Sequence, residues 1–216
     1  MIDPHRGQPV LHAGAPLAEA GAAAILIHGR GAGAEDILGL AAYLDRPGVA
    51  FMAPEAAGRT WYPHPFMSPL AVNEPWLTSA LLWVGRLVDE VAAAGIGAEK
   101  LVLLGFSQGA CLTSEYVARN GRRYGAVAAL SGGLIGPLIE PQRYPNGLDG
   151  TPAFFGCSDV DPHIPVERVK QTAALYRERG AVVTENIYRG MGHSVNEDEL
   201  MWVRAAIDRI VGPQAQ

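Results

Sequence analysis

The chain has 216 residues, with 17 Lys and Arg against 22 Asp and Glu, a formal net charge of -5. With 49% hydrophobic and 18% charged residues it can fill a sizeable core, which excludes disorder of the whole. The mild acidic excess lacks the clustered basic surface that nucleic acid or an anionic membrane would require. The length reads as one α/β domain spanning residues 1–216.

Two cysteines, Cys111 and Cys157, have neither metal-ligand nor CxxC spacing and form no disulfide framework. The opening residues lack a basic stretch followed by an apolar one, and no run of about 18 apolar residues occurs. The expectation is a cytoplasmic protein without stable membrane insertion.

Apolar, β-leaning runs alternate with segments of helical period along the chain, the pattern of a mostly parallel sheet with helices on both faces. The first strand is predicted at Ala23 to His28, followed by a glycine-rich loop and a helix over about Glu35 to Leu44. A second strand, Val49 to Ala53, leads into a proline-rich loop ending near Pro75. Leu77, Ala80, Leu81, Val84, Leu87, Val88 and Val91 give a helix from Trp76 to Ala94, closed by Gly95 and Gly97. Leu101 to Leu104 is apolar at every position, as a strand buried on both faces should be. A helix to about Asn120 and a strand near Ala126 to Leu130 come next, then a Gly/Pro-rich loop to Gly150. Two strand-helix units complete the order: Ala153 to Gly156 with Val166 to Arg179, and Val182 to Tyr188 with Glu197 to Ile210.

Gly105-Phe106-Ser107-Gln108-Gly109 is a GxSxG sequence between an apolar strand and a helix, where a sharp turn would hold Ser107 exposed. A serine hydroxyl becomes an effective nucleophile only beside a base, which a carboxylate must orient, in the chain order Ser, Asp or Glu, His. Of the six histidines only His163 and His193 lie beyond Ser107. His193 is the better base, because it follows the last strand in a glycine-rich loop able to reach across the sheet's end. Asp159 and Asp161 both qualify as the carboxylate by position, and order in the chain does not separate them. Backbone N–H donors for an oxyanion are expected from Gln108, next to the nucleophile, and from Arg30 in the loop after the first strand.

These residues resemble the acyl-protein thioesterase, lysophospholipase and carboxylesterase group of α/β-hydrolases. The resemblance is carried by His28-Gly29, Gly105-Phe106-Ser107-Gln108-Gly109, Asp159-Val160-Asp161-Pro162-His163-Ile164-Pro165 and Gly192-His193. It implies an α/β-hydrolase fold and a cofactor-free serine carboxylesterase acting on a small-molecule ester, with thioesters and lysophospholipids as further candidates; 216 residues leave little room for a separate lid domain. It also implies that Asp161 is the acid of the triad and that Trp61 lines the acyl site. Arg30 departs from the family, which often has a smaller or aliphatic residue there, and the stretch from Trp61 to Phe66 has no close match.

Competing readings attach to several of these residues. Trp61, Tyr62, Phe66 and Met67 could form an acyl-binding wall, or could pin a proline-rich loop to the core. Asp159, Asp161 and His163 could ligate a metal, although no second cluster completes a shell. Gly29 to Ala34 also reads as G-x-G-x-x-A with Glu55 as a ribose partner, the dinucleotide-binding pattern. A hydrolase fold can also serve as a ligand-binding protein with little turnover. His28 reads as a buried, loop-shaping residue and Cys111 as a small hydrophobe. The expected site is open, formed by loops 54–75 and 132–150, and favours short or medium acyl chains.

Overall fold

The computed structural model describes residues 2–212, so residue 1 and residues 213–216 of the expected domain lie outside the described residues. Among the described residues seven strands form one sheet: β1 (Val10–Gly14), β2 (Ala22–Ile27), β3 (Val49–Pro54), β4 (Leu101–Phe106), β5 (Ala126–Leu130), β6 (Pro152–Ser158) and β7 (Val182–Tyr188). Their order is β1-β3-β2-β4-β5-β6-β7. Only β1 runs antiparallel, pairing with β3 from Val10 opposite Pro54 to Gly14 opposite Ala50. The helices are α1 (Ala34–Leu38), α2 (Ala41–Leu44), α3 (Trp76–Ala93), α4 (Gln108–Asn120), α5 (Val166–Glu178) and α6 (Glu197–Val211).

Strand side chains alternate between two cores, as the pleat requires. Ile25, Ile27, Leu103, Val127 and Phe155 meet α3, α4 and α5 on one face. Leu26, Phe51, Leu104, Leu130 and Phe154 meet α1, α2 and α6 on the other. Because both faces are covered, β2, β3, β4 and β5 are buried at nearly every position and read as continuous apolar runs.

Two elements differ from the sequence expectation. Strand β1 was not anticipated: it is an edge strand of intermediate and exposed residues, and its mixed pattern carries no clear period. The helix expected over Glu35 to Leu44 is interrupted at Gly39 and Leu40, where Leu40 N–H donates to Ile37 O and the bonding tightens to i→i−3. Glycine is a poor helix former in mid-segment.

The strand order reverses between β2 and β4. Chain entering the sheet through β2 continues to β3 on one side, while β4 continues to β5 on the other. The loops leaving β2 and β4 therefore flank a crevice at the carboxyl ends of the strands, the place where open α/β sheets bind ligands. Close packing maintains it: a Cβ on Gly109, in the first turn of α4, would collide with the main-chain oxygens of Ile27 and His28.

Helix α6 begins with a reciprocal cap. Glu199 N–H donates to Asn196 Oδ1 at 3.0 Å, and Asn196 N–H donates to Glu199 Oε2 at 2.9 Å. The Glu199 side chain is fully buried behind β6, and its Oε1 has no hydrogen-bond partner among the described residues. Burial raises this carboxyl to about 7, against the Asn196 hydrogen bond and with help from Asp198. The folded state then holds a proton between about pH 4.5 and 7 that the unfolded chain releases, so this group's contribution to stability is complete below that window and lost as pH rises through it. Urea unfolding should show Glu199→Gln gaining on the parent by about 2 kcal/mol as pH rises from 5 to 8. A stability difference constant across that range would mean that Glu199 is already ionised in the fold.

Candidate active site

Ser107 occupies the sharp turn between β4 and α4 with φ 56° and ψ -119°, a conformation costly for a residue with a Cβ. Two main-chain bonds hold it: its N–H donates to Leu130 O at 2.9 Å and its carbonyl accepts from Cys111 N–H at 3.0 Å. The turn lifts the hydroxyl out of the strand and aims it along the sheet's end.

His193 arrives from the loop between β7 and α6. Gly190 and Gly192 take positive φ there, 67° and 78°, a bend that most side chains would resist. The end of β6 anchors the same loop: Gly190 N–H donates to Asp159 Oδ1 at 2.8 Å, and Gly192 N–H to Ser158 Oγ at 3.0 Å. His193 Nε2 lies 2.8 Å from Ser107 Oγ, and its Nδ1 lies 2.7 Å from Asp161 Oδ2. With Nδ1–H donating to the carboxylate, Nε2 is free to accept the serine proton. The imidazole also stacks against Phe106 and meets the edge of His163, each with ring centroids 4.9 Å away.

Of the two candidate carboxylates, Asp161 contacts the imidazole and Asp159 contacts the loop that carries it. Asp161 Oδ1 accepts from His163 N–H at 2.8 Å and from Ile164 N–H at 3.0 Å, so its side chain is fixed before the histidine is considered. Burial pushes this carboxyl up, but hydrogen bonds from His193, His163 and Ile164 outweigh it and leave Asp161 below the usual aspartate range. It is a carboxylate at neutral pH.

Gly29 packs against Ser107, since a Cβ placed on it would lie 3.3 Å from the serine Cβ. This contact sets Arg30 beside the turn. Neither the Arg30 nor the Gln108 main-chain N–H has an acceptor among the described residues. A cavity of about 520 Å³ opens over Ser107 and His193, walled by Arg30, Tyr62, Pro63, Pro65, Phe66, Gln108, Cys111, His163 and Ile164. Cys111, in its floor, is buried in apolar surroundings that raise its thiol to about 12, so it is an inert small side chain.

Tyr62 and Phe66 thus reach the cavity, but Trp61 does not. It is fully buried, its indole N–H donates to His28 O at 2.8 Å, and its ring lies 5.0 Å from that of His28 and 5.3 Å from that of His5. Trp61 therefore pins the loop to the core, the alternative its apolar bulk left open. The 132–150 segment also lies off the cavity wall. The Arg168 guanidinium donates to Leu134 O, Gly136 O and Pro137 O and draws that segment onto α5. Residues 163 and 164 take its place in the wall.

His28 is buried, with Nδ1–H donating to Gly29 O at 2.7 Å and Nε2 accepting from Ala56 N–H at 3.0 Å. Burial lowers its pKa, so the ring stays neutral and shapes the loop. The dinucleotide reading meets a physical obstacle. Glu55 accepts from Ala34 N–H at 2.6 Å and Asp36 from Gly33 N–H at 2.7 Å, so protein carboxylates occupy the helix start where a pyrophosphate would bind. Among the described residues, no group of three or more His, Cys, Asp and Glu side chains is arranged to hold a metal. Three supporting groups escaped sequence reasoning: Phe106 as a ring partner of His193, and Ser158 and Asp159 as anchors of its loop. Phe106 stood inside the GxSxG motif, but nothing in a single sequence marks the other two as anchors.

Comparison with known proteins agrees with this architecture. The chain is 40% identical to a phospholipase/carboxylesterase from Dyadobacter fermentans whose structure superimposes with a TM-score of 0.89, covering 93% of this chain and 96% of that one. Carboxylesterase SOBER1 of Arabidopsis thaliana is 27% identical over 158 residues, 71% of this chain and 69% of that protein. Acyl-protein thioesterase 1 of Debaryomyces hansenii is 36% identical over 126 residues, 57% of this chain and 53% of that protein, so the match spans about half the thioesterase's length. The Phospholipase/Carboxylesterase family pattern matches residues 14–211. The chain belongs to the Phospholipase/Carboxylesterase family of α/β-hydrolases.

Proposed function

We propose that the protein is a serine carboxylesterase that hydrolyses small carboxylic esters through an acyl-enzyme on Ser107. The observation that carries the reading is the continuous hydrogen-bonded path from Ser107 Oγ through His193 to Asp161 Oδ2, open to a cavity at one end and buried at the other. In this reading the Ser107 oxygen attacks the ester carbonyl while His193 Nε2 takes its proton. The carbonyl π electrons move onto the carbonyl oxygen, and the N–H groups of Arg30 and Gln108 receive that negative charge. Collapse of the tetrahedral intermediate breaks the bond to the alcohol, which leaves with the proton from His193. Water then repeats the sequence on the acyl-enzyme. Asp161 holds the tautomer and stabilises the imidazolium formed in each half. The chemistry needs no cofactor.

Thioesters fit the same steps, and the names of the thioesterase relatives favour them as a second substrate class. The reading takes residues 1–216 as one domain and the cytoplasm as its location. In support, the described residues form one continuous sheet, and the two cysteines are free and buried, as a reducing compartment allows. No helix among the described residues is long and apolar enough to cross a membrane.

Ser107→Ala should lower kcat for a p-nitrophenyl ester by a factor on the order of 10⁴ or more while leaving the folded structure intact. Retained turnover would contradict Ser107 as the nucleophile, whereas a parent that a fluorophosphonate probe fails to label at Ser107 would be a ligand-binding protein with a hydrolase fold. Asp161→Asn should cost about 10⁴ in kcat, because the imidazole loses its orienting anion. Asp159→Asn should cost no more than about tenfold, since that carboxylate holds only the loop, and the reverse ranking would reassign the acid. The open cavity, walled by Tyr62 and Phe66 without a lid domain among the described residues, suits short and medium acyl chains. Across a series of p-nitrophenyl esters, kcat/KM should peak at or below about eight acyl carbons. A peak at long-chain lipids would contradict that.

A further inference from the structure

The carbonyl oxygen of Tyr62 receives three donors. Arg30 Nη2 lies 2.8 Å from it, Gln108 Nε2 2.8 Å and Thr60 Oγ1 3.0 Å. A carbonyl oxygen offers two lone pairs, so this one is used to capacity and beyond. The first two donors come from opposite sides of the crevice, one from the loop after β2 and the other from the first turn of α4. They are also the two residues whose main-chain N–H groups the esterase reading assigns to the oxyanion.

Further bonds make the link stiff. Arg30 Nη1 donates to Pro63 O at 2.9 Å and Nη2 also to His64 O at 3.1 Å. Gln108 Oε1 accepts from Trp61 N–H at 2.9 Å, and Trp61 is wedged in the core against His28 and His5. Gly31 N–H adds a bond to Arg59 O at 2.8 Å. Arg30 is itself an exposed residue. Ordering a long exposed side chain against three carbonyls costs rotamer entropy, which the multiple charge-assisted bonds offset.

From this convergence we infer that residues 60–64 form a clamp that fixes the spacing and direction of the Arg30 and Gln108 N–H groups, with the Arg30 and Gln108 side chains as positioning residues acting through the Tyr62 carbonyl. The inference rests on the esterase reading and deepens it. Oxyanion donors work only when they are already aimed at the position where charge develops, and a misplacement of about 1 Å can cost a hundredfold in rate. The clamp supplies that aim before substrate arrives. It also gives the Arg30 side chain a role distinct from that of its main-chain N–H.

The test uses the 216-residue chain and p-nitrophenyl butyrate, with phenylboronic acid as a mimic of the tetrahedral adduct. Arg30→Met should lower kcat by about ten- to a hundredfold, keep KM within about twofold, and weaken boronate inhibition by a factor similar to the loss in kcat. Arg30→Lys, which keeps the charge but loses the fork, should fall between parent and Arg30→Met on both measures, and it keeps the comparison available if the methionine variant folds poorly. The clamp is overturned by unchanged kcat and boronate affinity, or by a raised KM with kcat intact, which would make the Arg30 side chain a substrate contact and not a positioning residue. It is equally overturned if the activity lost matches the fraction unfolded in a thermal melt. A wild type that neither turns over ester nor reacts with fluorophosphonate removes the esterase reading and the clamp with it, whereas an active wild type with an indifferent Arg30→Met removes the clamp alone.

Discussion

The backbone of Ser107, held at positive φ in the turn from β4 into α4, is the constraint on which the site depends. A serine in that conformation is strained, and it persists because packing on both sides leaves no relaxed alternative. Gly109 brings α4 into contact with the main chain at the end of β2, and Leu130 O, at the end of β5, ties down the serine N–H. The strain is therefore balanced by three neighbouring strands and a helix. Its result is a hydroxyl standing above the sheet at the point where the strand order reverses.

Around this turn the protein builds support in two directions. Toward the carboxyl ends of β6 and β7, Ser158, Asp159 and Asp161 each bind main chain or side chain of the 190–193 loop, so the position of His193 is set by three separate contacts. Toward β2 and β3, the neutral buried rings of His28 and His5 hold Trp61, and through it the loop that bears Tyr62 and Phe66. For both histidines burial disfavours the charged form. They act as shaped polar spacers that satisfy loop carbonyls and amides. The cavity is thus bounded by groups whose rotamers are fixed before any ligand enters, the condition under which electrostatic stabilisation of a transition state is effective.

Much of this was legible from residue pattern. The strands buried on both faces announced themselves as uninterrupted apolar runs, and α3, α5 and α6 as amphipathic periods with clear ends. Less was visible where local signals are weak: β1 is an edge strand whose residues are all at least partly exposed, and the break at Gly39 depends on α1 settling onto β3 while α2 packs against α6. At the site, the types and order of Ser107, His193 and a nearby aspartate could be read directly. The choice between Asp159 and Asp161 could not, because two residues of spacing in a loop place carboxylates in different directions that only the folded loop specifies. Trp61 marks another limit. A large aromatic beside a proline-rich loop is equally at home in a core or a ligand wall, and its hydrogen bond to His28 decides between them.

The sequence by itself determined the α/β architecture, the strand-to-helix turn that carries Ser107 and the kinds of side chain able to work with it, because periodicity and turn chemistry are local properties written in neighbouring residues. Only the tertiary structure decided which carboxylate meets His193, which aromatics face the cavity, and that Arg30 and Gln108 share the carbonyl of Tyr62. Those outcomes depend on contacts between residues 32 to 47 apart in the chain, whose distances are set by the packing of helices on a twisted sheet and leave no trace in any short stretch of chain.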